Sequence, residues 1–331
     1  MIMPRIKLSE VARLARTSTK TASRVINGDP RVSAATRERV QRAVTELHYR
    51  PDPLARSLRR GTDDTIAVVV DEVSDPFFTR VIGEIERMAL DRDITVIVAS
   101  TRRLAERERT LLDGLAHRRI AGLIVASVTD DHSYLRSAHY PIVFIDREAI
   151  GLEADAVLVD DRAGARMAVE HLLAHGHRRI AYVGDQLDIA TVRHRLEGFQ
   201  DAMSAAGITT PEDYVVHMEP QLTEGRDAVE RLLALDEQPT AIFSANTRCS
   251  LLTLPTLHRI GRTDVAFVSF GDFAMADALT PAVSVVNHSP ELIGRLAADR
   301  LLRRLAGEEL AAETITAPLE VVARGSGELA P

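Results

Sequence analysis

The chain has 331 residues, 45% of them hydrophobic, with 18 Gly, 14 Pro and a formal net charge of −7. This is enough apolar material for one large core, and for a second beyond a small head. The start MIMPRIKLSE lacks an apolar stretch of signal-peptide length, and no run of about 18 apolar residues occurs, which argues against secretion and membrane spanning and for the cytoplasm. The single Cys249 excludes an intrachain disulfide and any cysteine-based zinc cluster.

Charge is unevenly distributed. Residues 1 to 62 hold fourteen Lys and Arg against five Asp and Glu, a net +9, so the other residues carry −16. A basic head on an acidic body is the pattern of a phosphate-binding footprint.

Within the head, Leu8, Val11, Ala12 and Ala15 share one face of a short helix. Thr17 and Ser18 interrupt it, and Ser18 is a suitable N-cap for a second helix from about Thr19 to Ile26, closed by Asn27-Gly28. Ala22 and Val25 face inward; Thr19, Lys20, Ser23 and Arg24 face outward. A helix of this kind can lie in a major groove, where Lys or Arg donates to guanine and hydroxyl residues touch base edges or phosphates. Thr19, Lys20 and Arg24 are the expected base readers, with Lys7, Ser18, Thr21, Ser23 and Asn27 as further DNA contacts. A third helix beginning at Ser33 would bury Val40, Val44 and Leu47 and turn Arg37, Arg39 and Arg42 outward. Taken alone, the stretch also fits a solvated amphipathic helical domain.

Next comes RPDPLARSLRRG, where Asp52 as N-cap, Pro53 at the first helical position and Gly61 as stop delimit a helix of under three turns. So short a helix is marginal in water and should order only against DNA or a second copy. Leu58 could wedge between base pairs from the minor groove while Arg56 and Arg59 meet phosphates or groove edges. An Arg-rich linker is the plain alternative.

From residue 64 the runs TIAVVV, ITVIVAS, GLIVAS, PIVFID, AVLVD, IAYVG, YVVHM, TAIFSA, VAFVSF and VSVV alternate with helical stretches. Buried apolar strands of this kind belong to parallel α/β sheets, and two sheets of about five or six strands are expected. The expected fold is therefore an all-α helix-turn-helix head joined to an α/β body of two doubly wound parallel-sheet subdomains. Ligands of such folds sit beyond the carboxyl ends of the strands. There the sequence places Asp75, Phe77 and Phe78 after the first run, Ser127 after the third and Asp146 after the fourth. Thr191 and Arg195 open the RLEGF helix, Asn246 follows FSA, and Asp272 and His288 follow the last runs. As a set they offer hydrogen-bonding partners and an aromatic face to a hydroxylated or anionic small molecule.

The strings LSEVARLA, TASRVING, VSAATRERV, ELHYRPDPLARSLR, SDPFF, VDDRAGARMAVEHLLAHGHRRIAYVGD, RLEGF and PTAIFSAN resemble the lactose-repressor (LacI) family over essentially the full chain. The resemblance implies that the second helix reads the major groove through Thr19, Lys20 and Arg24, and that paired copies of Leu58 enter the operator centre. It also implies a body of two subdomains joined by three crossings, near Asp160-Asp161, near Asn287-His288 and before Leu319 to Val322. The expected division is residues 1–50, a hinge over 51–62, and a body over 63–331. Within the body, one subdomain takes about 63–161 and 291–318, and the other 162–290 and 319–331. The resemblance places the effector at the residues just named. This sequence departs from the family pattern at Arg16 in place of Gly, Thr17 and Ala22 in place of Val, Thr247 in place of Asp, and Gly271 in place of the first carboxylate of its loop. Asp272 could substitute for that carboxylate, and His288 could add a donor or a pH-sensitive group.

Other constellations carry less. His171 and His175 have i, i+4 spacing but no matching Cys or carboxylate cluster, so no metal is expected. RRLAERERT reads as a salt-bridged surface, as do Glu197 and Asp201. With no nucleophile elbow and no Walker or GxGxxG loop, neither an enzyme nor a cofactor is expected. The expected protein is a homodimeric repressor of a near-palindromic operator in double-stranded DNA, released by a sugar or sugar acid. A corepressed regulator is the alternative within the class. A sugar-binding module without DNA function would need a signal peptide and no basic head.

Overall fold

The computed structural model describes residues 6–26, 29–47, 49, 64–118, 120–218 and 222–331. Asn27, Arg56, Leu58, Arg59 and the expected hinge helix lie outside the described residues. The chain divides into two compact units, Met1–Asp63 and Asp64–Pro331.

In the first unit, α1 (Leu8–Leu14), α2 (Thr19–Ile26) and α3 (Ala34–Glu46) enclose a small core of Val11, Ala12, Ala15, Ala22, Val25, Val40 and Ala43. Val44 and Leu47 pack at its edge. Ser18 accepts the Thr21 backbone N–H at 3.1 Å, so the second helix begins on a side-chain cap. Two arginines expected to face outward are partly drawn in. Arg37 Nη2 donates to the Asp29 carbonyl at 2.9 Å and Arg39 Nε to that of Ala15 at 3.3 Å, which satisfies carbonyls that the tight turns leave without helical partners.

The second unit holds two six-stranded sheets. The first contains β1 (Thr65–Val70), β2 (Thr95–Ser100), β3 (Gly122–Val125), β4 (Ile142–Ile145), β5 (Asp155–Val159) and β11 (Thr314–Ala317), in the order β11-β5-β4-β3-β1-β2, all parallel. The second contains β6 (Ile180–Gly184), β7 (Val215–His217), β8 (Ala241–Ser244), β9 (Ala266–Phe270), β10 (Ser284–Asn287) and β12 (Glu320–Val322), in the order β12-β10-β9-β8-β6-β7. Among the described residues of this sheet, the pairing of β10 with β12 is antiparallel and the others are parallel. Ten of these strands coincide with the ten apolar runs. TITA at β11 alternates weakly and carries no such signal.

Helices α4 (Pro76–Leu90), α5 (Ala105–Ala116), α6 (Asp161–Ala174), α7 (Ala190–Ala205), α8 (Leu222–Leu232), α9 (Thr247–Arg259) and α10 (Pro290–Leu305) cover the sheet faces. The chain leaves the first sheet after β5, returns through α10, whose Ile293, Ala297 and Leu301 share a core with Ile66, Val81 and Ile85, and crosses again between β11 and β12. Two helix pairs approach closely enough to require glycine. A Cβ on Gly198 of α7 would lie 2.1 Å from the Arg162 carbonyl oxygen of α6, and one on Gly294 of α10 would lie 2.6 Å from that of Val81 in α4. Among the described residues, no helix is long and apolar enough to cross a membrane.

Candidate functional site

On α2 the side chains of Thr19, Lys20 and Arg24 are exposed, while Ala22 and Val25 are buried. Lys20 and Arg24, four residues apart, share one helix face, as Thr19 and Ser23 do. Ser18 and Thr21 are largely committed to the cap, with their hydroxyl oxygens 2.9 Å apart. The preceding turn is held by Arg16 at φ +48°, a left-handed conformation that favours glycine, with its side chain exposed. Lys7 stands at the start of α1, where its backbone N–H donates to Glu10 at 2.8 Å.

In the second unit the carboxyl ends of both sheets face one cleft. Its inner chamber, ≈ 50 Å³, is lined by eight of the ten expected effector residues: Asp75, Phe77, Phe78, Asp146, Thr191, Arg195, Asn246 and His288. Each follows from its element. Asp75 caps α4, its Oδ1 accepting the Phe77 N–H at 2.9 Å; Asn246 caps α9, its Oδ1 accepting the Cys249 N–H at 2.8 Å. Phe77 meets His288 at 5.0 Å and Phe78 edge-on at 5.0 Å, giving the chamber an aromatic side. Arg195 pairs with Asp161 at 2.7 Å, donates to the Ala245 carbonyl at 2.7 Å and lies 3.8 Å over the Phe270 ring.

Sequence reasoning missed a set of charged residues. Asp71 follows β1, Arg103 follows β2, Arg147 follows β4 and Asp185 follows β6, each just past a strand carboxyl end, the signal that could have found them. Arg147 grips Asp71 with two bonds of 2.8 and 2.6 Å, and Asp146 lies 3.3 Å away on a residue at φ +67°. Arg103 reaches Asp185 at 2.8 Å, and Arg248 reaches the same carboxylate at 3.2 Å.

Electrostatics follow from burial. Burial pushes the Asp75 carboxyl up to about 6, opposed by the Phe77 N–H bond and Arg248. The Asp161 carboxyl is likewise raised to about 6 by burial, against the pull of Arg195. Asp146 is raised for the same reason, with Arg147 opposing. The cleft thus holds carboxylates that would gain from a donor.

Three expectations need correction. Asp272 does not line the chamber: Arg324 holds its carboxylate by bonds of 2.8 and 2.6 Å, and its carbonyl accepts from Arg80 at 3.2 Å. Its carboxylate is thus engaged by Arg324 rather than set where the carboxylate missing at Gly271 would stand. His288 is no pH sensor near neutrality; burial and the nearby Arg195 push its pKa down to about 3, so the ring stays neutral. The third concerns Glu108 of the RRLAERERT string. Glu108 is fully buried and accepts from the Ser127 hydroxyl at 2.6 Å, the Val128 N–H at 2.6 Å, the Tyr134 hydroxyl at 2.8 Å and Thr129 at 3.2 Å. Ser127 is therefore committed to Glu108 and to His132 Nε2 at 2.7 Å, and lines a neighbouring outer chamber rather than the inner one. Because His132 Nδ1 accepts from the Ile150 N–H at 2.8 Å, its Nε2 carries the proton and donates to Ser127, which is the reverse of a nucleophile–base pair.

Two histidines of HLLAHGH hold residues 328 and 329. His177 meets the Thr240 hydroxyl and the Leu329 carbonyl, each at 2.9 Å, and His171 meets Glu328.

A helix-turn-helix head and a two-sheet body with a polar cleft at the strand ends define a DNA-binding regulator with a small-molecule-binding domain. Residues 7–52 match the model of the lacI family of bacterial regulatory proteins, and residues 169–327 match that of the periplasmic binding protein-like domain. The ribose operon repressor of Escherichia coli (strain K12) is 30% identical over 327 residues, covering 96% of this chain and 99% of that protein. A crystal structure of the lac repressor dimer bound to operator and the anti-inducer ONPF is 25% identical, with a TM-score of 0.86, over 99% of this chain and all of that one. The complex of the regulator CelR with cellobiose is 30% identical, with a TM-score of 0.71, over 97% of this chain and all of that one. The chain belongs to the lacI family. It is a DNA-binding transcriptional regulator of repressor type, with an effector-binding body.

Proposed function

We propose that this protein is a homodimeric, cytoplasmic repressor that leaves a near-palindromic operator when a sugar or sugar acid enters the cleft. The observation that carries the reading is the lining of the inner chamber. Asp75 and Asp146 can accept from hydroxyl groups, the Phe77 ring offers an apolar face, and Arg103, Arg147 and Arg195 line the same chamber. The family relatives that name a carbohydrate, ribose and cellobiose, support the same class of ligand. Pairing of two copies is supported by the exposed apolar side chains Ile97 and Val98 on the edge strand β2.

Control follows from linkage. A ligand that binds one arrangement of the two sheets more tightly shifts the body toward it, and so biases the helix read from Asp52 to Arg60 and operator affinity with it. The work of the molecule on this reading is binding, with no catalytic step. A thermal-shift screen of sugars and sugar acids on the full-length protein, followed by operator binding with and without each hit, tests it. A hit that weakens operator binding is expected. A hit that strengthens it would make the protein a corepressed regulator, and a screen without hits would overturn the choice of ligand class.

A further inference from the structure

On the reading of the cleft as the control element, we infer that its closing takes up one proton, held by Asp75, and that acid therefore draws the two sheets together. The charges that meet in the cleft do not balance. The first sheet's side brings Asp71, Asp75, Asp146, Arg103 and Arg147, and the second brings Asp161, Asp185, Arg195 and Arg248. Five carboxylates thus face four guanidinium groups. His288 stays neutral, and Glu108, behind Arg147, is held by its own four donors.

The pairings show where the excess falls. Arg147 grips Asp71 and lies 3.3 Å from Asp146, Arg195 holds Asp161, and Asp185 has both Arg103 and Arg248. Among the described residues Asp75 has no ion-pair partner, and the N–H it accepts belongs to Phe77 on its own helix. What shields it comes largely from the second sheet: Thr191 and Arg195 of α7, Asn246 and Thr247 of α9, and His288 line the same chamber. At ≈ 50 Å³ that chamber has room for a few water molecules at most. An unpaired carboxylate facing so little water is costly as an anion, and protonation removes the cost.

Closing is what creates that cost. When the sheets part, the shielding from α7 and α9 withdraws, and Asp75 stands in water with the Phe77 N–H still bound, at or below its ordinary value of 3.8. Between the sheets burial pushes the same carboxyl up to about 6, with Asp146 reinforcing and Arg248 and Arg103 opposing. The closed arrangement binds the proton more tightly, so closing is favoured as pH falls through about 6 and the bias is lost above it. Asp161 is raised to a similar value, but its partner Arg195 lies on the same side of the cleft and travels with it. Because water still reaches part of Asp75, the closing equilibrium should change by about threefold to tenfold between pH 7 and pH 5.

The test reads the angle between the two halves without any sugar or operator. Leu90→Cys and His258→Cys put dyes on exposed positions at the outer ends of α4 and α9, whose inner ends at Asp75 and Asn246 both line the chamber. Cys249 is buried and stays unlabelled. Energy transfer is followed in the full-length protein, with labelled chains diluted into unlabelled ones, from about pH 8 to about pH 5. The expected result is a shift in the distance distribution with a midpoint near pH 6 and the slope of one proton. Asp75→Asn and Asp75→Ser, which keep a capping oxygen and lose the charge, should show the acid distribution at every pH. A wild-type distribution that ignores pH, a pH shift that both variants retain, or a shift that follows sodium or potassium concentration in place of pH overturns the inference. A sugar that moves the dyes while pH does not would leave the control reading of the cleft standing; dyes unmoved by pH and by every sugar would remove both.

Discussion

Arg103, carried on the first sheet's side of the cleft, lies 2.8 Å from Asp185 on the second, and the pair is almost buried. The loop that delivers Arg103 holds two successive non-glycine residues at positive φ, Arg102 at +53° and Arg103 at +62°. Such backbone persists only where the surroundings impose it. Asp185 also holds Arg248, so one carboxylate serves two cations.

That asymmetry predicts unequal mutants. Arg103→Ala leaves Asp185 with Arg248 and should cost about 1 kcal/mol or less, whereas Asp185→Asn leaves two buried guanidinium groups uncompensated and should cost about 3 kcal/mol. Urea denaturation of both variants measures this. Arg103→Ala should also widen the small-angle scattering envelope of the ligand-free protein, since a charged tie across the cleft is gone.

Asp75 predicts a pH signature. Its carboxyl is raised to about 6 in the folded protein, so the folded state binds the extra proton and the stability it contributes is lost as pH rises through that value. Asp75→Asn keeps the cap on Phe77 and removes the buried charge. Its stability, read from thermal melts, should match wild type at about pH 3 and exceed it at pH 7 by about 1 to 2 kcal/mol, because water still reaches part of the carboxylate. Part of the wild-type slope should survive in the variant, because Asp161 is raised to a similar value.

Arg16 predicts opposite effects on folding and on DNA. Arg16→Gly relieves a left-handed residue at φ +48° and should stabilise the protein by about 1 kcal/mol. We expect the exposed Arg16 side chain to meet one phosphate, so its loss should weaken operator and non-operator DNA alike and reduce the salt slope of binding by about 1. Fluorescence titrations at several salt concentrations would show it. An unchanged slope would leave Arg16 without a DNA role.

Base reading is separable from that. Lys20→Ala and Arg24→Ala should each cost about 1 to 3 kcal/mol for the operator and relax preference at one base position, with a smaller effect on random DNA. Unchanged operator binding in both variants would remove α2 as the reading helix.

Gly198 offers a packing test. With a Cβ only 2.1 Å from the Arg162 carbonyl, Gly198→Ala must separate α6 from α7, and a loss of about 1 to 3 kcal/mol is expected in thermal melts.

Much of the fold was legible because buried parallel strands leave uninterrupted apolar runs, and ten of the twelve strands sit on such runs. Thr314–Ala317 escaped because an edge strand covered on one side has no need of four consecutive apolar residues. Of the cleft, the polar residues at strand ends were legible from position alone, but their pairings were not. Asp272 reads like a ligand residue until Arg324, 52 positions away in the chain, is brought to it. Glu108 reads as solvated because its neighbours are charged, and only the fold delivers the four groups that surround it. The pairing of Arg103 with Asp185 and of Arg147 with Asp71 is likewise invisible to sequence, since pairing is a property of distance.

The two sheets are finished by strands β11 and β12, which are separated by only two residues near the end of the chain. Neither half can therefore complete its edge before about residue 320 has left the ribosome, and the first also waits for the helix from Pro290 to Leu305. During synthesis both halves present open edges at once, and residues 314–322 act as the clasp of a purse. A nascent chain stalled at residue 312 should bind a holdase chaperone, and release of the final nineteen residues should end that association in a single step.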